Sequence, residues 1–228
     1  MKALGFDFGQ TLAELDYDFV QRRLLERGAS FDPRAAAAGS SRAWQIYGEK
    51  KRDGHALAWR AMMQAQLSAG GVANERAVEL ADWLWQEQPR QNLWRRPIPG
   101  MIELVRELKQ RGVPIVIISN SEGHLAELVE ELGWSGEFDV IVDSGRLGID
   151  KPDRRIFEHA CAALGVEIQQ LLHVGDAWEA DVQGALGALA SAVWFDPQHR
   201  ERALPERVYG AASAQELREV LARLGFLS

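Results

Sequence analysis

The chain has 228 residues, of which 46% are hydrophobic and 26% charged, and a formal net charge of −7. That length admits one sizeable core, or one domain with a large insertion, and the acidic balance excludes a general nucleic-acid binder, which needs a basic field. The only cysteine, Cys161, leaves no intrachain disulfide and agrees with a reducing compartment. No apolar run of 18 residues occurs, and the first residues enter a strand pattern instead of a signal peptide, so a cytoplasmic protein without a membrane partner is expected.

Lys2 to Leu12 reads KALGFDFGQTL. Its apolar stretch Ala3 to Phe6 suits a strand of about five residues buried on both faces. Such a strand delivers Asp7 to its carboxyl end, the edge where open α/β sheets bind their ligands. Gly9, Gln10 and Thr11 come next as a tight turn whose glycine lets the backbone approach a bound group. Asp7 alone fits equally well a loop carboxylate that caps the next element. From Glu14 to Arg96 no second strand pattern appears. Phe19, Val20 and Leu24, then Ala77, Leu80, Ala81 and Leu84, recur at helical spacing, which predicts a bundle of about four helices. Breaks are expected near Ser30 to Pro33, Arg52 to Gly54, and Gly70 to Gly71. Of Trp44, Tyr47, Trp59, Trp83, Trp85 and Trp94 most are expected to fill this bundle, with a substrate cage as the alternative, and Lys50, Lys51, Arg52 and His55 to form a solvated basic face, with a ligand-binding patch as the alternative.

Arg96 to Gly100 interrupts the helical pattern, and beyond Gly100 the chain alternates as βαβ. A helix from Met101 to Arg111 stops at Gly112. Val113 to Ile118 is a continuous apolar run, as a central parallel strand requires, and it ends on Ser119 and Asn120. A helix from Gly123 to Leu132, a short strand from Phe138 to Val142, a helix from Arg154 to Leu164, a strand from Leu171 to Val174 and a helix from Ala180 to Ala188 come next. The apolar run Ala190 to Phe195 and an amphipathic helix from Ala214 to Leu224 close the chain. Cys161 falls in a helical pattern, as a core thiol.

Right-handed crossovers bring all the carboxyl ends of parallel strands to one edge. That edge gathers Asp7, Ser119, Asn120, Gly175, Asp176 and Asp181. Lys151 joins them from GIDKP, with Pro152 expected at the first helical position so that the lysine sits at a helix N-terminus. Carboxylates from different strands make a hard oxygen site suited to Mg²⁺ with a phosphate. A hydroxyl, an amide and a lysine complete a phosphate cradle.

DFGQT at 7–11, ISNS at 118–121, the lysine of DKPD at 150–153 and GDAWEAD at 175–181 resemble the four motifs of the haloacid dehalogenase superfamily. The resemblance covers the first strand and nearly everything from Pro97 onward. It implies an α/β fold, a Rossmann-like doubly wound parallel sheet over residues 1–13 and 97–228, with an all-helical cap inserted over 14–96. It also implies a Mg²⁺-dependent hydrolase, most commonly a phosphatase acting on a small phosphorylated metabolite. Carried over residue by residue, Asp7 is the nucleophile that accepts the phosphoryl group as an aspartyl phosphate. Ser119 hydrogen-bonds a phosphoryl oxygen, Asn120 and Thr11 belong to the same phosphate pocket, and Lys151 neutralises charge on Asp7 and the phosphate. Asp7, Asp176 and the Gly9 carbonyl bind the metal, with Asp181 acting through water or by orienting its neighbours.

One departure stands out. Phosphatases of the superfamily carry a second aspartate two residues after the nucleophile, as acid for the leaving group and base for water, and here that position is Gly9. Acid–base catalysis is worth roughly 10²–10⁴-fold, or about 3–5 kcal/mol. Glu14, Asp16 and Asp18 are the nearby carboxylates that could fold back in its place. Haloacid dehalogenases, with an aromatic at this position, attack carbon without a metal and do not need the aspartate that GDAWEAD retains. Phosphonate-cleaving members have a small residue there and a cap lysine, for which Lys50 and Lys51 are candidates. A third reading is a catalytically weakened phosphate- or Mg²⁺-binding protein, which Gly9 favours and the intact Asp7, Ser119, Lys151 and Asp176 oppose. Monomer and homodimer both remain open.

Overall fold

The structure, a computed structural model, describes residues 2–198 and 200–227, without the side chain of Lys51. The chain divides into two compact units, Met1–Glu14 with Trp94–Ser228, and Leu15–Leu93. In chain order, β1 (Ala3–Phe6) and β2 (Ala13–Leu15) precede the helices α1 (Tyr17–Leu25), α2 (Pro33–Ala38), α3 (Ser40–Lys50), α4 (His55–Ala69) and α5 (Asn74–Glu87). Then come β3 (Trp94–Pro97), α6 (Met101–Gln110), β4 (Ile115–Ser119), α7 (Leu125–Glu131), β5 (Val140–Asp143), α8 (Ser144–Leu147) and α9 (Arg154–Leu164). The chain finishes with β6 (Leu171–Gly175), α10 (Gly184–Gly187), β7 (Ser191–Phe195), β8 (Val208–Ala211) and α11 (Ala214–Arg223).

In the first unit six parallel strands form one sheet in the order β5-β4-β1-β6-β7-β8. The chain winds from β1 to β4 and out to β5, then crosses back to β6 on the other side of β1. The carboxyl end of β1 is therefore the switch point where such sheets open a crevice. Alternate side chains leave opposite faces of a strand. On one face Ala3, Val116, Ile118, Leu171 and Ala192 pack with Ile156, Phe157, Ala160 and Cys161 of α9. Residues of the other parity, Leu4, Phe6, Ile115, Ile117, Leu172 and Val174, are buried as well. Burial on both faces is why these strands read as unbroken apolar runs. Cys161 is buried in this core, and burial pushes its thiol up to about 11, so it stays protonated and inert.

The second unit is helical. α4 packs against α2, α3 and α5 and buries Trp59, Met62, Met63 and Leu67. Asp16 caps α1 by accepting from the Phe19 N–H (2.8 Å), and Asp32 caps α2, whose first residue is Pro33. Only part of the expected aromatic core is buried: Trp59 is enclosed, whereas Trp44, Tyr47, Trp83 and Trp85 are half-exposed and meet edge-on in pairs such as Trp44–Tyr47 (5.6 Å). Lys50 is exposed, and the side chain of Lys51 lies outside the described residues.

Several elements differ from the sequence expectation. The segment 14–96 holds five α-helices instead of four. β2 and β3 pair as a two-stranded ribbon that three- and four-residue strands, one of them carrying exposed Arg96, do not announce by alternation. Trp94, expected in the bundle, belongs to β3 and the first unit. Trp178–Gln183 is a π-helical turn that precedes α10, where a plain helix is expected. Pro152 precedes α9 instead of opening it, because Asp153 is the N-cap and accepts from the Arg155 N–H (2.9 Å). No helix among the described residues is long and apolar enough to cross a membrane.

Asp143 ties these elements to the site. It ends β5 opposite Ser119 of β4 and is buried. Its Oδ1 accepts from the N–H groups of Gly123 (3.0 Å) and Gly145 (2.9 Å), and its Oδ2 from Leu125 (2.9 Å). One carboxylate thus caps α8 and fixes the chain that leaves β4. Asp143→Ala strands these donors, each worth about 1 kcal/mol, so a loss of about 2–4 kcal/mol is expected. Urea unfolding should show a lower midpoint at unchanged slope; a change below about 0.5 kcal/mol, the surface range, would mean that the loop is held by other contacts.

Candidate active site

Asp7 extends β1 by one residue. Its N–H donates to the Val174 carbonyl (2.8 Å), which carries the carboxylate past the end of the strand while keeping it buried. Oδ1 of Asp7 accepts from Lys151 Nζ (2.7 Å). The same ammonium donates to Asp181 Oδ1 (2.6 Å) and to the Ile118 carbonyl at the end of β4 (2.6 Å). An ammonium has three donors, and here all three are used inside the protein. Oδ2 of Asp7 has no hydrogen bond among the described residues and is the oxygen available for chemistry.

Lys151 is placed by its backbone. Asn120 Oδ1 accepts from the Lys151 N–H (2.7 Å) and Asn120 Nδ2 donates to the Lys151 carbonyl (3.0 Å). The amide of Asn120 is thereby clamped to the peptide of Lys151. Asp181 is placed by the π-helical turn. Its Oδ2 accepts from the Ala177 N–H (2.9 Å), and Oδ1 meets both Lys151 and His173 Nε2 (3.1 Å). A side chain at Gly175 would put its Cβ 2.3 Å from the Asp181 carboxyl carbon, so only glycine lets that carboxylate lie across the end of β6.

The electrostatics result from this wiring. Burial alone would lower the Lys151 pKa, but the carboxylates of Asp181 and Asp7 hold it above the ordinary lysine range. Burial raises Asp7, and Lys151 offsets part of the rise. Asp181 goes the other way: Lys151 and His173 outweigh its burial and keep it ionised. His173, fully enclosed against Phe157, is lowered by burial and stays neutral. Asp176 is raised well above the ordinary range by burial and then by the negative charges of Asp181 and Asp7.

Asp7, Asp176 and Asp181 bring ligand oxygens within 4.8 Å of one another. Three carboxylates face one ammonium, an excess that a divalent cation cancels. Asp176 has no hydrogen bond to its carboxylate among the described residues and is free to ligate, whereas both oxygens of Asp181 are occupied. The donor set therefore fits an oxygen-seeking cation. Ser119 ends β4 at this edge, buried. Thr11, also buried, has a hydroxyl with no partner among the described residues.

The turn after Asp7 is closed by the N–H groups of Leu12 and Ala13 donating to the Phe8 carbonyl (2.9 and 3.0 Å) and by Gln10 N–H donating to the Ala13 carbonyl (2.7 Å). Gln10 takes the left-handed conformation, φ 58. Gly9 does not, and a Cβ there would meet only Trp94 Cδ1 and Nε1 at the ordinary contact distances of 3.5 and 3.7 Å. The suggested substitutes for an acid at position 9 are engaged elsewhere: Glu14 pairs with Arg96 (2.7 Å) and Asp16 caps α1. Asp18 is an exposed residue in the first turn of α1. His173 and Asp143 escaped the sequence reading. The single imidazole inside the buried run LLHVG was the one available signal for His173, and none existed for Asp143.

Known proteins bear on this geometry. The family model for haloacid dehalogenase-like hydrolases matches residues 1–188. A phosphoserine phosphatase from Thermus thermophilus is 35% identical over 181 residues, 75% of this chain and 71% of that protein. The pyrimidine 5'-nucleotidase YjjG of Escherichia coli is 30% identical over 132 residues, 56% of this chain and 57% of its own length. Among solved structures, the magnesium-bound HAD-hydrolase YfnB of Bacillus subtilis superposes over 96% of this chain and 98% of its own with a TM-score of 0.71 at 20% identity. A 2-haloacid dehalogenase from Pseudomonas syringae covers 99% of this chain and 100% of its own with a TM-score of 0.63 at 23% identity. These two likenesses establish the fold, a parallel α/β sheet of Rossmann type. With the family model matched over most of its length and a relative aligned over three quarters of it, the chain belongs to the haloacid dehalogenase-like hydrolases.

Proposed function

We propose that this hydrolase is a Mg²⁺-dependent phosphatase for a small phosphorylated substrate and works by phosphoryl transfer to Asp7. The observation that carries this reading is the division of labour at the end of β1: Asp7 Oδ1 is held by Lys151, Oδ2 is unbonded, and Asp176 beside it is uncommitted and within ligand distance. Asp7, Asp176 and the carbonyl of Gly9 would hold the cation, which when bound polarises a phosphoryl oxygen and offsets its charge. Asp181 serves by fixing Lys151.

The chain's own residues then define two steps. Oδ2 of Asp7 forms a bond to phosphorus as the ester oxygen leaves with its electron pair, giving the aspartyl phosphate. Water next attacks phosphorus, and the carboxylate is released with inorganic phosphate. Lys151 offsets negative charge at Asp7 in both steps, and the hydroxyls of Ser119 and Thr11 are the donors for phosphoryl oxygens. Relatives named as phosphatases and a nucleotidase support a phosphate ester as substrate. The uncommitted Asp176 weighs against metal-free attack on carbon. Residues 14–96 are assigned as the cap that selects the substrate, and the lone buried cysteine supports a cytoplasmic location.

Lys151→Ala should lower kcat by on the order of 10²-fold or more with little change in KM, since it removes charge stabilisation and not substrate contact. Circular dichroism should confirm the fold, and a normal kcat with a raised KM would reduce Lys151 to a binding residue. With no carboxylate at position 9, an aryl phosphate, whose phenolate leaves readily, should be cleaved with Mg²⁺ present, in a burst followed by a slower steady rate, while alkyl phosphates react poorly. At Gly9 the backbone is not left-handed and an added Cβ meets Trp94 at ordinary contact distance. Gly9→Asp should raise the steady rate by up to roughly 10²–10⁴-fold, most of all for alkyl phosphates. A folded, Mg²⁺-binding Gly9→Asp protein that is no faster would show that the missing acid is not the bottleneck.

A further inference from the structure

β7 lies next to β6, with Trp194 in register with Gly175, so its carboxyl end opens on the same edge as Asp176. The Trp194 Nε1–H donates to the Asp176 carbonyl (3.0 Å), which ties the indole to the backbone of the uncommitted carboxylate. Trp178, two residues further on from Asp176, packs edge-on against Trp194 with ring centres 5.0 Å apart. Two arginines from the chain after β7 lie on this pair. The Arg202 guanidinium carbon is 4.2 Å from the centre of Trp178 and 5.8 Å from that of Trp194, and Arg200 lies 5.1 Å from Trp194.

The two arginines are not equivalent. Arg200 Nε donates to Asp196 Oδ1 (2.8 Å). Arg202 has no carboxylate within ion-pair distance among the described residues. Both border a cavity of about 170 Å³ with Trp194, Asp196 and Glu216. The acids there are engaged: Asp196 with Arg200, and Glu216 by accepting from the Ala212 N–H (3.0 Å). Stacking on an indole holds a guanidinium in a fixed plane and leaves its N–H fork open to an oxyanion. In a chain with 33 acidic and 26 basic residues, an oriented and unpaired arginine beside the reaction edge has a use for that fork. Arg200 is paired with Asp196, which leaves Arg202 as the arginine of this rim without a carboxylate partner among the described residues.

We infer that Arg202, held over the Trp178 ring on the edge that carries Asp176, binds a second anionic group of the substrate, a carboxylate or phosphate carried away from the scissile phosphoryl group. The natural substrate is then a phosphate monoester with a further oxyanion. This rests on the phosphatase reading above.

The test compares phenyl phosphate, 4-carboxyphenyl phosphate and 1,4-phenylene bisphosphate as substrates with Mg²⁺. Wild type should prefer at least one of the charged probes to phenyl phosphate in kcat/KM, and which one identifies the oxyanion as carboxylate or phosphate. Arg202→Gln should cut that preference by about tenfold or more, through KM, as loss of a bidentate charge-assisted contact does. Arg202→Lys should recover part of it. Arg223→Gln, at the far end of α11 and exposed, should keep it. No preference in wild type, or one that survives Arg202→Gln, overturns the inference. If none of the probes is turned over, the phosphatase reading fails, and calorimetric titration of the same probes into the Mg²⁺-loaded protein decides the matter. Charged probes that bind about tenfold more weakly to Arg202→Gln uphold the anion site, and equal binding removes it.

Discussion

The ammonium of Lys151 is the point on which the site depends. It is buried and its three donors meet two carboxylates from different elements and one strand carbonyl. A charge enclosed in this way is tolerable only when every donor is answered, and removing one partner leaves the others uncompensated. Much of the first unit serves this requirement. Asn120 grips the backbone of Lys151, and β4 presents the Ile118 carbonyl. Gly175 clears space for Asp181, and a neutral His173 steadies it from inside the sheet. The π-helical turn lets the Ala177 N–H reach back to the same carboxylate. Asp7 and Asp176 are left as the carboxylates of the cluster with an oxygen that has no hydrogen bond among the described residues.

The glycine at position 9 can now be read chemically. Turns of this kind use glycine where the backbone must be left-handed, but in this chain Gln10 occupies that conformation and Gly9 does not. The space beside Gly9 would accept a Cβ against the edge of Trp94. Neither the backbone conformation nor the room for a Cβ therefore demands a glycine there.

The sequence carried the parts of this arrangement that local pattern encodes. The apolar runs of β1, β4 and β6 were legible because strands buried on both faces need them, and the order of the motifs placed Asp7, Ser119, Lys151 and Asp176 on one edge. What was hidden depends on side-chain direction and distant partners. That the Asn120 amide grips the Lys151 peptide is visible only in the structure. Asp181 reads from the sequence as a carboxylate of the metal site, and its bonds to Lys151, His173 and the Ala177 N–H are visible only in the structure. Asp143 ends a weak strand, and its three backbone partners lie in segments that no periodicity links to it. β2 and β3 are too short, and the π-helical turn too dependent on Gly175 and Asp181, for spacing to reveal them. The stacking of Arg202 on Trp178 joins residues from separate loops and has no signature in either.

The most direct test of the account is the location of the phosphoryl group during turnover. Rapid acid quenching of the enzyme with Mg²⁺ and phenyl phosphate, then peptide mass spectrometry, should find a base-labile phosphoryl group on Asp7 that builds up in the burst, because water attack lacks a base at position 9. Phosphate release with no phosphorylated Asp7, or with the group on another residue, would contradict the account at its centre.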